Sequence, residues 1–173
     1  SGAEQTISLT INGLVGQDVN SGRTATVKMT NVNEADLNVT HNISEINYIV
    51  PSTFTVSMDK AELTFGQPST KPTYSGAEQT ISLTINGLVG QDVNSGRTAT
   101  VKMTNVNEAD LNVTHNISEI NYIVPSTFTV SMDKAEVTFG QPSTKPTYSG
   151  AEQTISLTIN GLVGQDVNSG RTA

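Results

Sequence analysis

The sequence predicts an all-β chain of tandem small domains, each an Ig-like sandwich or a β-grasp-like sheet, stacked end to end as a rod. Three observations predict it. Apolar residues alternate with Thr and Ser in short runs, the period of a half-buried strand. Gly, Pro and Asn-Gly breaks separate the runs, and none of them sustains a helical period. Residues 1–99 also match residues 75–173 without a gap, a period of 74 residues in which Leu63 against Val137 is the only difference.

The joint between repeats fixes the phase. In residues 127–139 (TFTVSMDKAEVTF), Phe128, Val130 and Met132 alternate with Thr127, Thr129 and Ser131; Asp133 and Lys134 interrupt; Val137 and Phe139 resume the pattern. Two strands in line across a short polar break set the boundaries. Residues 1–58 are then a partial repeat lacking its first strand, 59–132 a complete repeat, and 133–173 a partial repeat holding first strands only. The natural reading is a fragment of a longer array.

Within the complete repeat, residues 61–65 form the first strand, with Leu63 and Phe65 on one face, and Gly66, Pro68 and Pro72 end it. The clearest strand is 79–85, where Ile81, Leu83 and Ile85 alternate strictly with Thr80, Ser82 and Thr84. Asn86-Gly87 turns the chain, and residues 88–96 (LVGQDVNSG) are too glycine-rich for a helix; Leu88, Val89 and Val93 are expected to tuck under the sheet. Residues 98–104 form the next strand, with Ala99, Val101 and Met103 inward and Lys102 outward. Residues 105–119 are less regular: Leu111 and Val113 suggest a short strand, and 108–111 a single helical turn. Ile120, Tyr122 and Val124 alternate again, and across Pro125-Ser126 this run is expected to form a hairpin with 127–132. First and last strands are expected to run parallel and adjacent, so the chain leaves each domain at its far end.

Composition excludes several function classes. Net charge is −7, and the complete repeat sets seven acids against Lys60, Lys71, Arg97 and Lys102, which argues against a nucleic-acid or anionic-membrane partner. There is no cysteine to staple the repeat, no His/Cys cluster for a structural metal, and no apolar run of membrane-spanning length.

The sequence assigns no catalytic, cofactor-binding or metal-ligating residue. Each repeat has one histidine, His41 or His115, set among Thr and Asn and read as a loop residue, since a catalytic histidine needs an oriented partner. Asp92 with Asn94, or Asn105, Asn107, Glu108 and Asp110, offer oxygens to calcium, but neither set has the ordered spacing of a calcium loop. Lys102, on a polar face, is read as solvent-facing and not as half of an isopeptide bond. Asn38, Asn42, Asn112 and Asn116 each open an Asn-x-Ser/Thr sequon.

Lys71, Tyr74 and Gly76, then Gly87, Leu88, Val89, Asp92 and Gly96, then Asn121, Tyr122 and Val124 give the order Lys-x-x-Tyr-x-Gly, Gly-Leu-Val-x-x-Asp-x-x-x-Gly, Asn-Tyr-x-Val. Across the whole period this resembles the MBG/YDG-type tandem repeats of bacterial cell-surface adhesins, with Ser75 where that family typically has Asp. The resemblance implies extracellular β-rich stalk modules without catalytic residues.

Copying with a single conservative substitution serves length or avidity better than it serves an active site. The leading expectation is a structural stalk projecting a distal binding domain from the bacterial surface, with neighbouring repeats of the same chain as its first partners. The alternative is multivalent weak binding of a host glycan, mucin or protein by each repeat. Partial repeats at both ends also make strand exchange between molecules an expectation.

Overall fold

A computed structural model of the chain describes residues 3–173. Ser1 and Gly2, which open the first partial repeat, lie outside the described residues. The chain is all-β. Its strands are short and mostly antiparallel, and among the described residues the helical segments are three 3₁₀ turns, Gly16–Asn20, Gly90–Asn94 and Gly164–Asn168.

The chain gathers into two compact units. The first takes in the chain up to Thr64 together with Asn86–Arg97 and Asn116–Val124. In it, Ala25–Met29 is the centre of an antiparallel sheet, flanked by Gln5–Ser8 and Thr40–His41. Leu37–Asn38 pairs antiparallel with Thr53–Phe54, and Ala61–Glu62 runs parallel to Tyr122–Ile123. The second unit comprises Phe65–Ile85, Thr98–His115 and Pro125–Ala173. There Ala99–Met103 is the central strand, between Gln79–Ser82 and Thr114–His115; Leu111–Asn112 pairs with Thr127–Phe128, and Thr138–Gly140 with Thr158–Asn160.

The central strands are the cores. Ala99, Val101 and Met103 are 2%, 1% and 1% exposed, as their alternation predicts, while Lys102 points out and pairs with Glu78 at 2.8 Å. Each fully buried Val or Met contributes about 2 kcal/mol relative to solvent exposure.

The repeats act as controls on one another, because one sequence meets three surroundings. Gln-Thr-Ile-Ser is a strand at Gln5–Ser8 and at Gln79–Ser82, where an Ala-Thr-Val-Lys-Met strand pairs with it. At residues 153–156 no such run follows, and the same four residues form no strand. Thr-Ile-Asn is a strand at Thr84–Asn86 and Thr158–Asn160, beside Thr64–Gly66 and Thr138–Gly140, but not at residues 10–12. The 3₁₀ turn forms in all three repeats because its bonds are local: in each, the Asp N–H donates to the Val three residues back, at 3.1 to 3.2 Å. Strand is conferred by a partner; the turn is intrinsic.

Two local expectations are corrected. The runs on either side of Pro125-Ser126 do not form a hairpin: Tyr122–Ile123 pairs with Ala61–Glu62 and Thr127–Phe128 with Leu111–Asn112. Pro125 has no N–H for a ladder and a fixed φ, so the chain leaves one sheet there and joins another. Val89 and Val93 do not tuck under the sheet but are 49% and 57% exposed, with Leu88 half-buried. The residue the turn buries is Asp92, at 2%, because its charge is answered inside the fold.

Candidate functional site

The buried Asp92 is the centre of a cluster that recurs in each repeat. Gly90, at φ +57°, takes a left-handed conformation that admits the chain to the 3₁₀ turn, and the turn carries Asp92 inward. Arg97, just past the Gly96 turn, donates from Nη2 to Asp92 Oδ1 at 2.8 Å and from Nη1 to the Asn116 carbonyl at 3.0 Å. Tyr122, 2% exposed on its strand, donates its hydroxyl to Asp92 Oδ2 at 3.0 Å and accepts the Val89 N–H at 3.2 Å. Ser95 closes the turn, Oγ donating to the Asp92 carbonyl at 2.8 Å. Arg97 Nε is buried without a hydrogen bond.

The first repeat builds the same cluster with more water around it. Arg23 Nη2 reaches Asp18 Oδ1 at 2.8 Å and the Tyr48 hydroxyl reaches Oδ2 at 2.9 Å, but the Asp18 side chain is 27% exposed. The Arg23 guanidinium, and after it the Tyr48 hydroxyl, hold the Asp18 carboxyl below its usual range. In the third repeat Arg171 Nη2 pairs with Asp166 Oδ1 at 3.1 Å, and Asp166 Oδ2 accepts a tyrosine of the preceding repeat, Tyr74, at 3.2 Å. Burial, then the Asp166 charge, pushes the Tyr74 phenol up. One Asp–Arg pair therefore accepts a phenol from its own repeat or from its neighbour.

Chemically the cluster is a brace. The carboxylate meets a guanidinium and a phenol, so its charge is compensated. It ties the Gly90–Asn94 turn to the Tyr122 strand.

Apart from Asp92 and Asn116, the sequence-singled residues sit elsewhere. His41 Nδ1 accepts the Ile43 N–H at 3.2 Å, leaving the proton of the neutral ring on Nε2, 3.4 Å from Glu45 Oε1. It borders an open depression of about 540 Å³ with Asn38, Tyr48 and Ser52. With its lone pair given to the main chain, His41 closes a turn at the end of a strand. His115 is half-buried at the matching position. Glu108 is likewise spent on its own loop, accepting N–H groups of Thr104 at 3.1 Å and Asn105 at 3.0 Å, with the Asn105 amide at 2.9 Å. Those donors hold its carboxyl below the usual range, the Thr104 N–H foremost. Among the described residues, no group of three or more His, Cys, Asp or Glu is placed to hold a metal ion. Asn116 of the sequon donates to the Gly96 carbonyl at 3.2 Å.

No family model, curated protein or solved structure matches this chain. The cluster's roles therefore rest on its own geometry. Sequence reasoning placed Tyr122 in an alternating strand run and weighed Asp92 as a calcium ligand, but read Arg97 only as one positive charge. The signal available was that Arg97 is the single arginine of an acid-rich repeat, set at the end of a glycine turn that already holds an aspartate.

Proposed function

We propose that these are structural spacer repeats, the stalk modules of a bacterial surface adhesin of the MBG/YDG type, which carry a distal binding domain outward and catalyse nothing themselves. The observation that carries this reading is direct bonding between consecutive repeats by residues that recur once per period. Asp133 at the joint donates its N–H to the Pro72 carbonyl at 2.9 Å and accepts the Tyr74 N–H at 2.8 Å, while its carboxylate pairs with Lys71. Gly76 approaches the next repeat so closely that a Cβ on it would lie 2.7 Å from Gly164 Cα. In the first unit, Asn121 of the complete repeat accepts the Val32 N–H of the preceding one and donates to Asn31 Oδ1, both at 2.9 Å.

Contacts of this kind restrain a neighbour's position, which is what a spacer needs and a flexible tether lacks. Small-angle X-ray scattering on chains of two, four and six repeats tests it. Maximum dimension should grow linearly by about 30 to 40 Å per repeat. Growth closer to the square root of repeat number would refute a stiff spacer. Multivalent binding is the second reading, favoured by Ile120 and Ile123, which remain 57% and 53% exposed in the complete repeat.

A further inference from the structure

Asn112 and Asn116, like Asn38 and Asn42 before them, open two Asn-x-Ser/Thr sequons four residues apart, and folding puts the two to different uses. The second of each pair is built into the chain. Asn116 Nδ2 donates to the Gly96 carbonyl at 3.2 Å and Asn42 Nδ2 to the Gly22 carbonyl at 3.3 Å, while Asn42 Oδ1 accepts the Thr24 N–H at 2.7 Å. The arginine of each repeat holds the same residue by its main chain, Arg97 Nη1 on the Asn116 carbonyl at 3.0 Å and Arg23 Nη1 on the Asn42 carbonyl at 2.9 Å. Presenting either amide to an enzyme would break bonds that close the glycine turn.

The first of each pair is free. The Asn112 and Asn38 side chains are exposed and, among the described residues, make no hydrogen bond; the hydroxyls two residues on, Thr114 and Thr40, are exposed and unbonded as well. The main chain fixes these side chains without occupying them. Leu111–Asn112 pairs with Thr127–Phe128, Thr114–His115 with Ala99 and Thr100, and the Val113 N–H between them donates to the Ser126 carbonyl at 2.9 Å. Residues at i and i+2 of extended chain lie on one side, so the amide and the hydroxyl are presented together. The condition is the same at Asn38, with the complete repeat after it, and at Asn112, with residues 1–58 before it, so it does not depend on which neighbour is present.

We propose that Asn112 and Asn38 accept an N-linked sugar on the folded chain, once per period, and that Asn116 and Asn42 do not. The donor is a sugar diphosphate, carried by a nucleotide or by a polyprenyl lipid. Asn112 Nδ2 attacks the anomeric carbon and forms the new N–C bond; the bond from that carbon to the diphosphate oxygen breaks, and the diphosphate leaves with the electron pair. The proton lost by Nδ2 passes to a basic group of the transferase. The inference stands on the two amides' surroundings and does not depend on the spacer reading.

In vitro glycosylation of the whole folded chain tests it. Two transferases are used, each chosen because it labels both Asn112 and Asn116 in a peptide spanning residues 108–120. One arm supplies a nucleotide-diphosphate hexose and the other a polyprenyl-diphosphate oligosaccharide, so the added mass identifies the carrier. Mass spectrometry of the digested product should place the label on Asn38 and Asn112 in at least one arm, about tenfold or more above Asn42 and Asn116, the factor expected from the bonds those two amides must give up. Thr114→Ala, at an exposed position, should keep the wild-type circular dichroism and lose the Asn112 label alone, with Asn38 as the internal control. Label on Asn42 or Asn116 less than about tenfold below that on Asn112 would overturn the proposal. So would the absence of label from Asn38 and Asn112 in both arms, or an Asn112 label that survives Thr114→Ala.

Discussion

Removing one hydroxyl at Tyr122 should cost more than removing the same hydroxyl at Tyr48, although the two tyrosines have identical sequence neighbours. In the complete repeat the Tyr122 hydroxyl donates to a carboxylate that is 2% exposed and accepts the Val89 N–H. A hydrogen bond to a charged group contributes about 1.5 to 3 kcal/mol, and a buried partner that loses it has no water to turn to. Tyr122→Phe should therefore destabilise by about 2 to 3 kcal/mol. At Tyr48 the same donor serves Asp18, whose side chain is 27% exposed, so water replaces the phenol and Tyr48→Phe should cost about 1 kcal/mol or less. Urea denaturation gives the two losses, and native-state hydrogen exchange at the Val89 amide localises the first, since that N–H loses its acceptor. Equal losses, or a larger one at Tyr48, would refute the argument that burial of Asp92 sets the value of the brace.

Acid should weaken the fold. The Asp18, Glu34 and Glu108 carboxyls all lie below their usual range, drawn down chiefly by Arg23, by the Thr30 N–H and by the Thr104 N–H respectively. Groups depressed on folding contribute stability that is full above the unfolded pKa, about 4, and lost as pH falls through the folded one, so urea midpoints should be level from pH 7 to about 5 and drop below about 4. Glu108→Gln should flatten part of that drop, and a midpoint that rises in acid would contradict the assignment. Gly87→Ala combines a φ of +95° with a Cβ 2.6 Å from the Glu62 carbonyl, whereas Gly13→Ala carries only its φ of +90°. The first should cost well beyond the 1 to 2 kcal/mol or so of left-handed strain and the second about that strain alone, read from the same denaturation curves. Extending the chain past Ala173 with the sequence of residues 100–132 should turn residues 153–156 into a strand, seen as slowed exchange of the Ile155 amide; exchange as fast as before would mean that a partner strand is not what those residues lack.

Strand positions with strict alternation were legible because one face was apolar and every second residue was Thr, Ser or Lys; Ala99, Val101 and Met103 are the clearest case. What was not legible was pairing. Alternation in residues 120–132 reads the same for a hairpin and for two strands bound for different sheets, and the parallel partner Ala61–Glu62 lies far back in the chain. The inward turn of Asp92 was hidden for a related reason. Hydropathy ranks Val89 and Val93 above an aspartate for burial, and partners such as Arg97 and Tyr122, brought together by folding, reverse that order.

Near-identity of the repeats makes a further point about where stability resides. If each short segment carried its structure in its own residues, Gln-Thr-Ile-Ser would be a strand wherever it occurs, and Phe139 would be as buried as Phe65. Instead strand and burial track the presence of a particular neighbour: the Ala-Thr-Val-Lys-Met run for residues 79–82, the Leu63–Phe65 segment for the groove beside Phe128, a phenol for each Asp–Arg pair. The Asp166–Tyr74 bond sharpens this, because it satisfies the Asp–Arg pair of the third repeat with a tyrosine from the repeat before it.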